Sequence, residues 1–146
     1  LTMEPFPTMY WLTHPHLRTL ISQLEIEPKH NVKTFEDKLS SSTDNLIAMS
    51  KAHESYGKAR WQLLTDEDRI ETKNRNWSDA LGIKRGVAGI RNFEAVKCLH
   101  AHAAHYLAQC EINRMDQIDS QDLPENLVGR WVLEAVEELI LNNGNF

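Results

Sequence analysis

The stretch VKCLHAHAAHYLAQC, residues 96–110, decides how the rest of this chain is interpreted. Its apolar and small residues recur at the three- and four-residue spacing of an amphipathic helix. Between them stand a cysteine and three histidines within eight positions, which a packed helix does not need. The stretch therefore predicts a helix over residues 94–110 that carries a site of cysteine and histidine chemistry.

Two separate stripes run along this predicted helix. At about 100° per residue, Cys98, His102 and His105 fall on one face and the apolar residues fall on another. His100 lies at the border of the apolar stripe. Cysteine and histidine are preferred zinc ligands, and residues three or four apart on a helix can bind one ion. One helix supplies about two such ligands, so other segments must complete the set.

The best candidates from outside the helix are His14 and His16, in the segment THPHL. Two other interpretations remain open for the whole group. The histidines and the cysteine could act in catalysis without a metal. They could also be plain packing, because free cysteine is a common core residue and histidines often pack beside aromatic rings.

Outside this helix the periodicity indicates a mainly helical chain with a small sheet. Alternating aromatic residues predict a strand over residues 6–12, and a glycine-flanked apolar run predicts another over 87–90. The polar, serine-rich residues 27–45 are interpreted as a loop. We therefore expect a single α+β domain over residues 1–146, with four to five helices and a two- or three-stranded sheet.

Three further helical stripes support that expectation. One follows Pro15 and stops at Pro28, a long one covers residues 46–64, and the clearest runs over 127–140. Thr65 and Asp68 have the spacing of a capping box, which would begin a weaker, largely solvated helical segment.

Composition narrows the classes of function. The chain has 146 residues, of which 41% are hydrophobic and 25% charged, enough for one apolar core. Its net charge of -5 argues against nucleic-acid binding, which needs a basic face to neutralise phosphates. No apolar run is long enough to span a membrane.

The two cysteines indicate an intracellular, reducing compartment. Cys98 and Cys110 lie twelve residues apart, or about 18 Å along one helix, which is too far for a disulfide. Unpaired cysteines are typical of reducing compartments. The start at Leu1 instead of methionine is compatible with a removed organellar targeting segment.

A candidate anion site adjoins the same helix. Arg85, Arg91 and Lys97 gather positive charge beside glycines and a predicted helix N-terminus. Arginines and backbone amides at a helix start are a common arrangement for binding anions. The alternative is a solvated basic loop in an otherwise acidic chain.

Four motifs together carry a family resemblance: PFPTMYWLTHPHL, RGVAGI, VKCLHAHAAHYLA and ENLVG. They resemble the largely bacterial family called domain of unknown function five hundred and one, over most of the chain. The resemblance implies no reaction, although bacterial relatives are encoded near exopolyphosphatase-like enzymes, a hint of phosphate. Lys97, Cys98, His100 and His105 match the family pattern. Relatives with cysteine at the position of His14 support that residue as a zinc ligand, since the exchange keeps a ligand.

The leading expectation is thus an intracellular metal-binding domain that holds zinc. Cys98, His105 and His14 would be ligands, with His102 or His100 as the fourth, in a closed site.

Two alternatives follow from the same residues. The first is a metal-dependent hydrolase for a small phosphorylated or nucleotide-like substrate. There His100 would move protons, while Lys97, Arg85 and Arg91 would hold the small anionic ligand. The second is a subunit of a larger assembly or oligomer, in which the Cys/His cluster is purely structural and exposed residues contact a protein partner.

Overall fold

The fold is that of a computed structural model, which describes residues 4–115 and 123–144. Over these residues the chain forms seven α-helices and no strand. The predicted α+β class, with four to five helices and a small sheet, is therefore wrong. In chain order the helices are α1 (Pro15–Ile26), α2 (Val32–Ser40), α3 (Thr43–Leu63), α4 (Asp66–Asn74), α5 (Ser78–Leu81), α6 (Leu99–Met115) and α7 (Leu127–Asn143).

The predicted strand over residues 6–12 belongs to a segment without regular structure. Its backbone groups bond to side chains of α3. The Met9 N–H donates to the hydroxyl of Tyr56 at 2.7 Å, and the Pro7 carbonyl accepts from Arg60 at 3.1 Å. Prolines add no N–H to a ladder, so alternating aromatic residues here line a helix surface instead of pairing with a strand.

The predicted strand over residues 87–90 is also wrong. A 3-10 turn, Val87–Gly89, occupies this position. Ala88 and Gly89 have φ angles of 57° and 69°, in the left-handed region that a strand does not use. The chain therefore turns back on itself where an extended run was expected.

Residues 27–45, interpreted as a loop, contain α2. The side chain of Asn31 caps this helix by accepting from the Thr34 N–H at 3.0 Å. Phe35 and Leu39, four residues apart, are buried against the core. Two apolar side chains suffice because the tertiary contacts, and not the polar composition of the stretch, stabilise so short a helix.

Several helical predictions are confirmed. The long helix expected over 46–64 is α3, and the stripe over 127–140 lies within α7. The capping box is present, because Thr65 and Asp68 each accept a hydrogen bond at 3.1 Å from the other's backbone N–H. In these segments the spacing of apolar residues, or the pair of capping residues, is compatible with a helix and with no other regular structure.

The predicted helix over residues 94–110 begins five residues later than expected, at the first residue of α6. Asn92 folds the preceding segment into a turn, in which its carbonyl accepts from the Ala95 N–H at 3.2 Å. Asparagine offers the backbone such local alternatives to a helix. Cys98 therefore lies just before α6, and a helical wheel does not apply to it.

The hydrophobic core lies where α1, α2, α3, α6 and α7 meet, and α6 packs most closely on α7. At Gly129 of α7 a Cβ atom would stand only 2.2 Å from the carbonyl oxygen of His102, so only glycine allows this approach. No described helix is both long and apolar enough to cross a membrane. The fully buried core side chains include Ile21, Leu24, Leu39, Met49, Leu99, Val128 and Val132.

Candidate functional site

Glu25, Cys98 and His100 form a cluster, here called the Glu25 cluster, in which possible metal-ligand atoms all lie within 4.8 Å of one another. All three side chains are half-buried. Glu25 comes from the last part of α1, Cys98 immediately precedes α6, and His100 stands in the first turn of α6. The crossing of α1 over the start of α6 thus brings a carboxylate, a thiol and an imidazole together.

The ring of His100 is held at both nitrogens. Its Nε2 lies 3.1 Å from the carbonyl oxygen of Arg18 and 3.2 Å from the hydroxyl of Ser22. Its Nδ1 lies 3.3 Å from Oε1 of Glu25. A carbonyl oxygen can only accept, so the contact with Arg18 favours a proton on Nε2. In the neutral ring the Nδ1 lone pair then faces the Glu25 carboxylate.

Two partly open cavities adjoin the Glu25 cluster. The one beside Cys98 has a volume of about 220 Å³, and Lys97 lies on its wall. The other, on the α1 side, has a volume of about 720 Å³ and is lined by Arg18 and Ser22. Both cavities reach His100. A metal ion in the cluster would therefore be accessible to a small ligand.

His102 and His105 lie elsewhere, in a buried hydrogen-bond network that we call the Asn126 network: His102, His105, Gln109 and Asn126. The Asn126 Oδ1 lies 3.1 Å from His102 Nδ1, and its Nδ2 lies 3.0 Å from His105 Nδ1. The Asn126 N–H donates to Gln109 Oε1 at 3.0 Å. Asn126 itself is fully buried, and it joins the N-terminus of α7 to α6.

The orientation of the Asn126 amide is fixed by a third contact, because the Gly129 N–H donates to its Oδ1 at 2.9 Å. An oxygen that accepts from Gly129 also accepts from His102, so the His102 Nδ1 carries a proton. The Asn126 Nδ2 in turn donates to the His105 Nδ1. The two predicted zinc ligands thus each use one ring nitrogen to hold two helices together.

His53 of α3 packs beside this network. Its Nδ1 accepts from the Val87 N–H at 3.1 Å, so the neutral ring carries its proton on Nε2. The rings of His53 and His102 stand nearly perpendicular, with centroids 5.8 Å apart. The Nε2 atoms of both rings are buried and have no hydrogen-bond partner among the described residues. They are chemically complementary, since His53 presents an N–H and His102 a lone pair.

Burial keeps these three histidines neutral. Loss of hydration lowers the pKa of His53 to about 3, with smaller contributions from His102 and His105. The same desolvation lowers the pKa of His102 to about 4, against a small opposing effect of Asn126, and that of His105 to about 3. A buried imidazole loses hydration of its charged form, and no carboxylate among these contacts replaces it.

His14, the predicted ligand from outside the helix, is exposed at the N-terminus of α1. Its Nδ1 accepts from the Leu17 N–H at 3.3 Å, which caps the helix. His14 is not one of the three residues of the Glu25 cluster. The structure thus brings Cys98 and His100 together. It places the other three predicted ligands, His14, His102 and His105, apart from them.

The predicted anion-binding residues also fall into two places. Arg85 and Arg91 both donate to Oδ2 of Asp79 at 2.5 Å, and these hydrogen bonds hold the pKa of that carboxyl below its usual range. Lys97 lies apart from this pair, on the wall of the cavity beside Cys98. The two arginines are therefore satisfied by a carboxylate of the chain itself.

Comparison with known proteins identifies a family. A family model described as "Protein of unknown function (DUF501)" matches residues 1–134. The chain belongs to this family. No curated protein and no solved structure matches the chain. The family's description names no activity, so the geometry of the site has to carry any functional conclusion about this DUF501 protein.

The candidate ligand that sequence reasoning missed is Glu25. A signal for it exists in the sequence of this DUF501 protein, because Arg18, Ser22 and Glu25 are spaced by four and three residues. That spacing places them on one face of α1, and all three contact His100. Histidine and cysteine spacing alone does not indicate this polar face of α1, because its ligand atom is a carboxylate.

Proposed function

We propose that this protein is a metal-binding domain and that zinc is the metal, held by Glu25, Cys98 and His100. Thiolate, imidazole and carboxylate are the three side-chain ligands that zinc uses in proteins. Hard ions such as magnesium and calcium favour oxygen ligands, so the thiol argues for a transition metal. His102 and His105 are outside the proposed ligand set, because they lie in the Asn126 network and not among the three residues of the Glu25 cluster.

The observation that carries this proposal is the ring of His100. With a proton on Nε2 bonded to the Arg18 carbonyl, a neutral ring directs the Nδ1 lone pair toward the carboxylate of Glu25, 3.3 Å away. Two acceptors that face each other need a cation or a proton between them. A metal-ligating histidine usually donates its other ring N–H to a carbonyl or carboxylate, as His100 does here. The competing explanation is a doubly protonated His100 in an ion pair with Glu25.

Three protein ligands leave the fourth zinc position open. Structural zinc sites are usually closed by four protein ligands, whereas catalytic sites keep one position for water or substrate. The two cavities that reach His100 therefore support the hydrolase alternative over a closed structural site. Bound water at such a position is acidic enough to act as a nucleophile near neutral pH.

The experiment is elemental analysis of protein purified without a metal-affinity tag and then dialysed against limiting zinc. Cys98→Ala is compared with Cys110→Ala, which removes the exposed second cysteine and keeps the cluster. We expect about one zinc per chain in the wild type and in Cys110→Ala, and none in Cys98→Ala.

Two results would contradict the proposal. Equal zinc in the two cysteine variants would place the metal elsewhere. A wild type that takes up no zinc would leave Glu25 and His100 as an ion pair without a metal, and the cluster as part of the packing.

A further inference from the structure

The two cavities beside the Glu25 cluster are neighbours that share a wall. Trp11, Leu12 and His100 line both of them. Lys97 stands on the smaller cavity and Arg18 on the larger one. A ligand seated at His100 would therefore occupy a space lined by two cationic residues, one from the segment before α6 and the other from α1.

No carboxylate of the described residues neutralises these two cations. Lys97 and Arg18 are exposed, and neither makes a salt bridge to any described residue. The nearby basic loop is different, because Arg85 and Arg91 are paired with Asp79. The positive charge available to a ligand near the cluster thus comes from Lys97 and Arg18.

A charge balance for the zinc-loaded site indicates the charge of the ligand. Zn²⁺ is neutralised by one carboxylate, from Glu25, and one thiolate, from Cys98. Lys97 and Arg18 remain, with one positive charge each, in a chain whose overall charge is -5. A doubly negative ligand would complete the balance, and a phosphate monoester is close to that charge at neutral pH.

The aromatic wall of the smaller cavity indicates what the uncharged part of the ligand is. Phe6 and Trp11 stack on each other with ring centroids 5.1 Å apart and planes inclined by 23°. Both rings are nonetheless mostly exposed, at 64% and 66%. Tyr10 lines the same cavity. An exposed stacked pair beside a cationic site provides a flat surface for a planar ring.

We propose that the two cavities form one binding site for a small phosphate monoester that carries a planar ring, either an aryl phosphate or a nucleotide. The phosphate contacts Arg18, Lys97 and the open zinc position, and the ring packs on Phe6 and Trp11. This inference rests on the proposed zinc site for one of its phosphate contacts and on the chain's own side chains for the rest.

Isothermal titration with phenyl phosphate tests the inference on the zinc-loaded and the zinc-free protein. Arg18→Gln and Lys97→Gln should each weaken binding to the zinc-loaded protein at least about tenfold and leave the zinc content unchanged. Lys84→Gln is the matched control, since it removes an exposed positive charge outside both cavities, and it should bind as the wild type does.

Trp11→Ala tests the ring separately from the phosphate. We expect it to weaken phenyl phosphate binding several-fold and to leave binding of inorganic phosphate unchanged. Adenosine monophosphate in place of phenyl phosphate distinguishes a nucleotide from a simple aryl group. Equal affinity for inorganic phosphate and phenyl phosphate in the wild type would overturn the aromatic part of the inference.

The same titrations separate this inference from the proposed function. A protein that binds zinc but not phenyl phosphate, or binds it equally well in Arg18→Gln and Lys97→Gln, would overturn the inference alone. A protein that binds no zinc but binds phenyl phosphate through Arg18 and Lys97 would support a phosphate monoester as the ligand and would contradict the proposed zinc site.

Discussion

Helix α6 carries two groups of histidines that differ in almost every physical respect. His102 and His105 face the interior, where Asn126 occupies one nitrogen of each ring. His100, two residues before His102, is half-buried at the start of the helix and faces a carboxylate. The same side chain thus serves as an internal brace in one group and as a candidate ligand in the other.

The difference shows that the partners of a histidine, and not its position in a motif, determine what it can do. In the Asn126 network the N-cap residue of α7 hydrogen-bonds to His102, His105 and Gln109 of α6, so the network stabilises the fold. In the Glu25 cluster an acceptor faces an acceptor, which costs free energy unless a cation or a proton is present. Variants that change one group and spare the other should therefore separate stability from metal binding.

The largest effect is expected from Asn126→Ala. The variant removes the N-cap of α7 and leaves the buried Nδ1–H of His102 without an acceptor. Loss of a cap costs about 1 kcal/mol and an unsatisfied buried donor about 1–3 kcal/mol, so the free energy of unfolding should fall by about 3 kcal/mol. Urea denaturation monitored by circular dichroism measures this change.

Asn31→Ala is the matched control, because Asn31 caps α2 in the same way but is only half-buried. It should lower the free energy of unfolding by about 1 kcal/mol. Zinc content per folded molecule should be unchanged in both variants. Equal destabilisation by the two substitutions would mean that the Asn126 network adds nothing beyond an ordinary cap.

A smaller effect is expected on how the free energy of unfolding depends on pH, through the buried His53. In an unfolded chain a histidine has a pKa near 6.5, whereas His53 in the fold stays neutral down to a pH of about 3. Between these values the unfolded chain binds more protons, so this contribution to stability is full above pH 6.5 and is lost as the pH falls. Between pH 7 and pH 5 the loss is about 2 kcal/mol.

His53→Asn tests that assignment, since an asparagine can still accept from the Val87 N–H but does not titrate. The difference in unfolding free energy between pH 7 and pH 5 should shrink by about 2 kcal/mol, measured with a chelator present. His14→Asn, at an exposed position, should follow the wild type. If His53→Asn kept the wild-type dependence of stability on pH, other groups would cause the acid sensitivity, including His102 and His105, whose charges lower the pKa of His53.

Sequence reasoning identified which candidate residues lie together more successfully than it predicted their arrangement on the helix. Lys97, Cys98 and His100 were singled out by residue type, spacing and the family resemblance, and they do lie together on one cavity. The arrangement failed because a local turn at Asn92 delays the start of α6, so that Cys98 lies outside the helix and does not share a helical face with His102 and His105. A wheel cannot correct an error in where a helix begins.

The missing sheet has a similar cause. Alternating aromatic residues and short glycine-flanked runs are compatible with strands, but a strand also needs a partner whose backbone is free. Here Arg60, almost fully buried in α3, donates to five backbone carbonyls, among them those of Pro7 and Gly86. A single side chain thus joins the first predicted strand, and the residue just before the second, to a helix. No local sequence pattern reveals such a long-range contact.

The smallest change in stability is expected from Glu25→Gln, which alters the Glu25 cluster and leaves the Asn126 network intact. The Glu25 and His100 side chains are 34% and 27% exposed, so their ion pair contributes at most about 1 kcal/mol to the free energy of unfolding in the absence of metal. Zinc affinity should nevertheless fall at least about tenfold, because an amide oxygen is a much weaker zinc ligand than a carboxylate. Competition with a chromogenic chelator measures the affinity, and Glu137→Gln, an exposed glutamate of α7, is the control. If Glu25→Gln destabilised the metal-free protein as strongly as Asn126→Ala does, the Glu25 cluster would be a second brace of the fold, and the distinction between the two histidine groups of α6 would disappear.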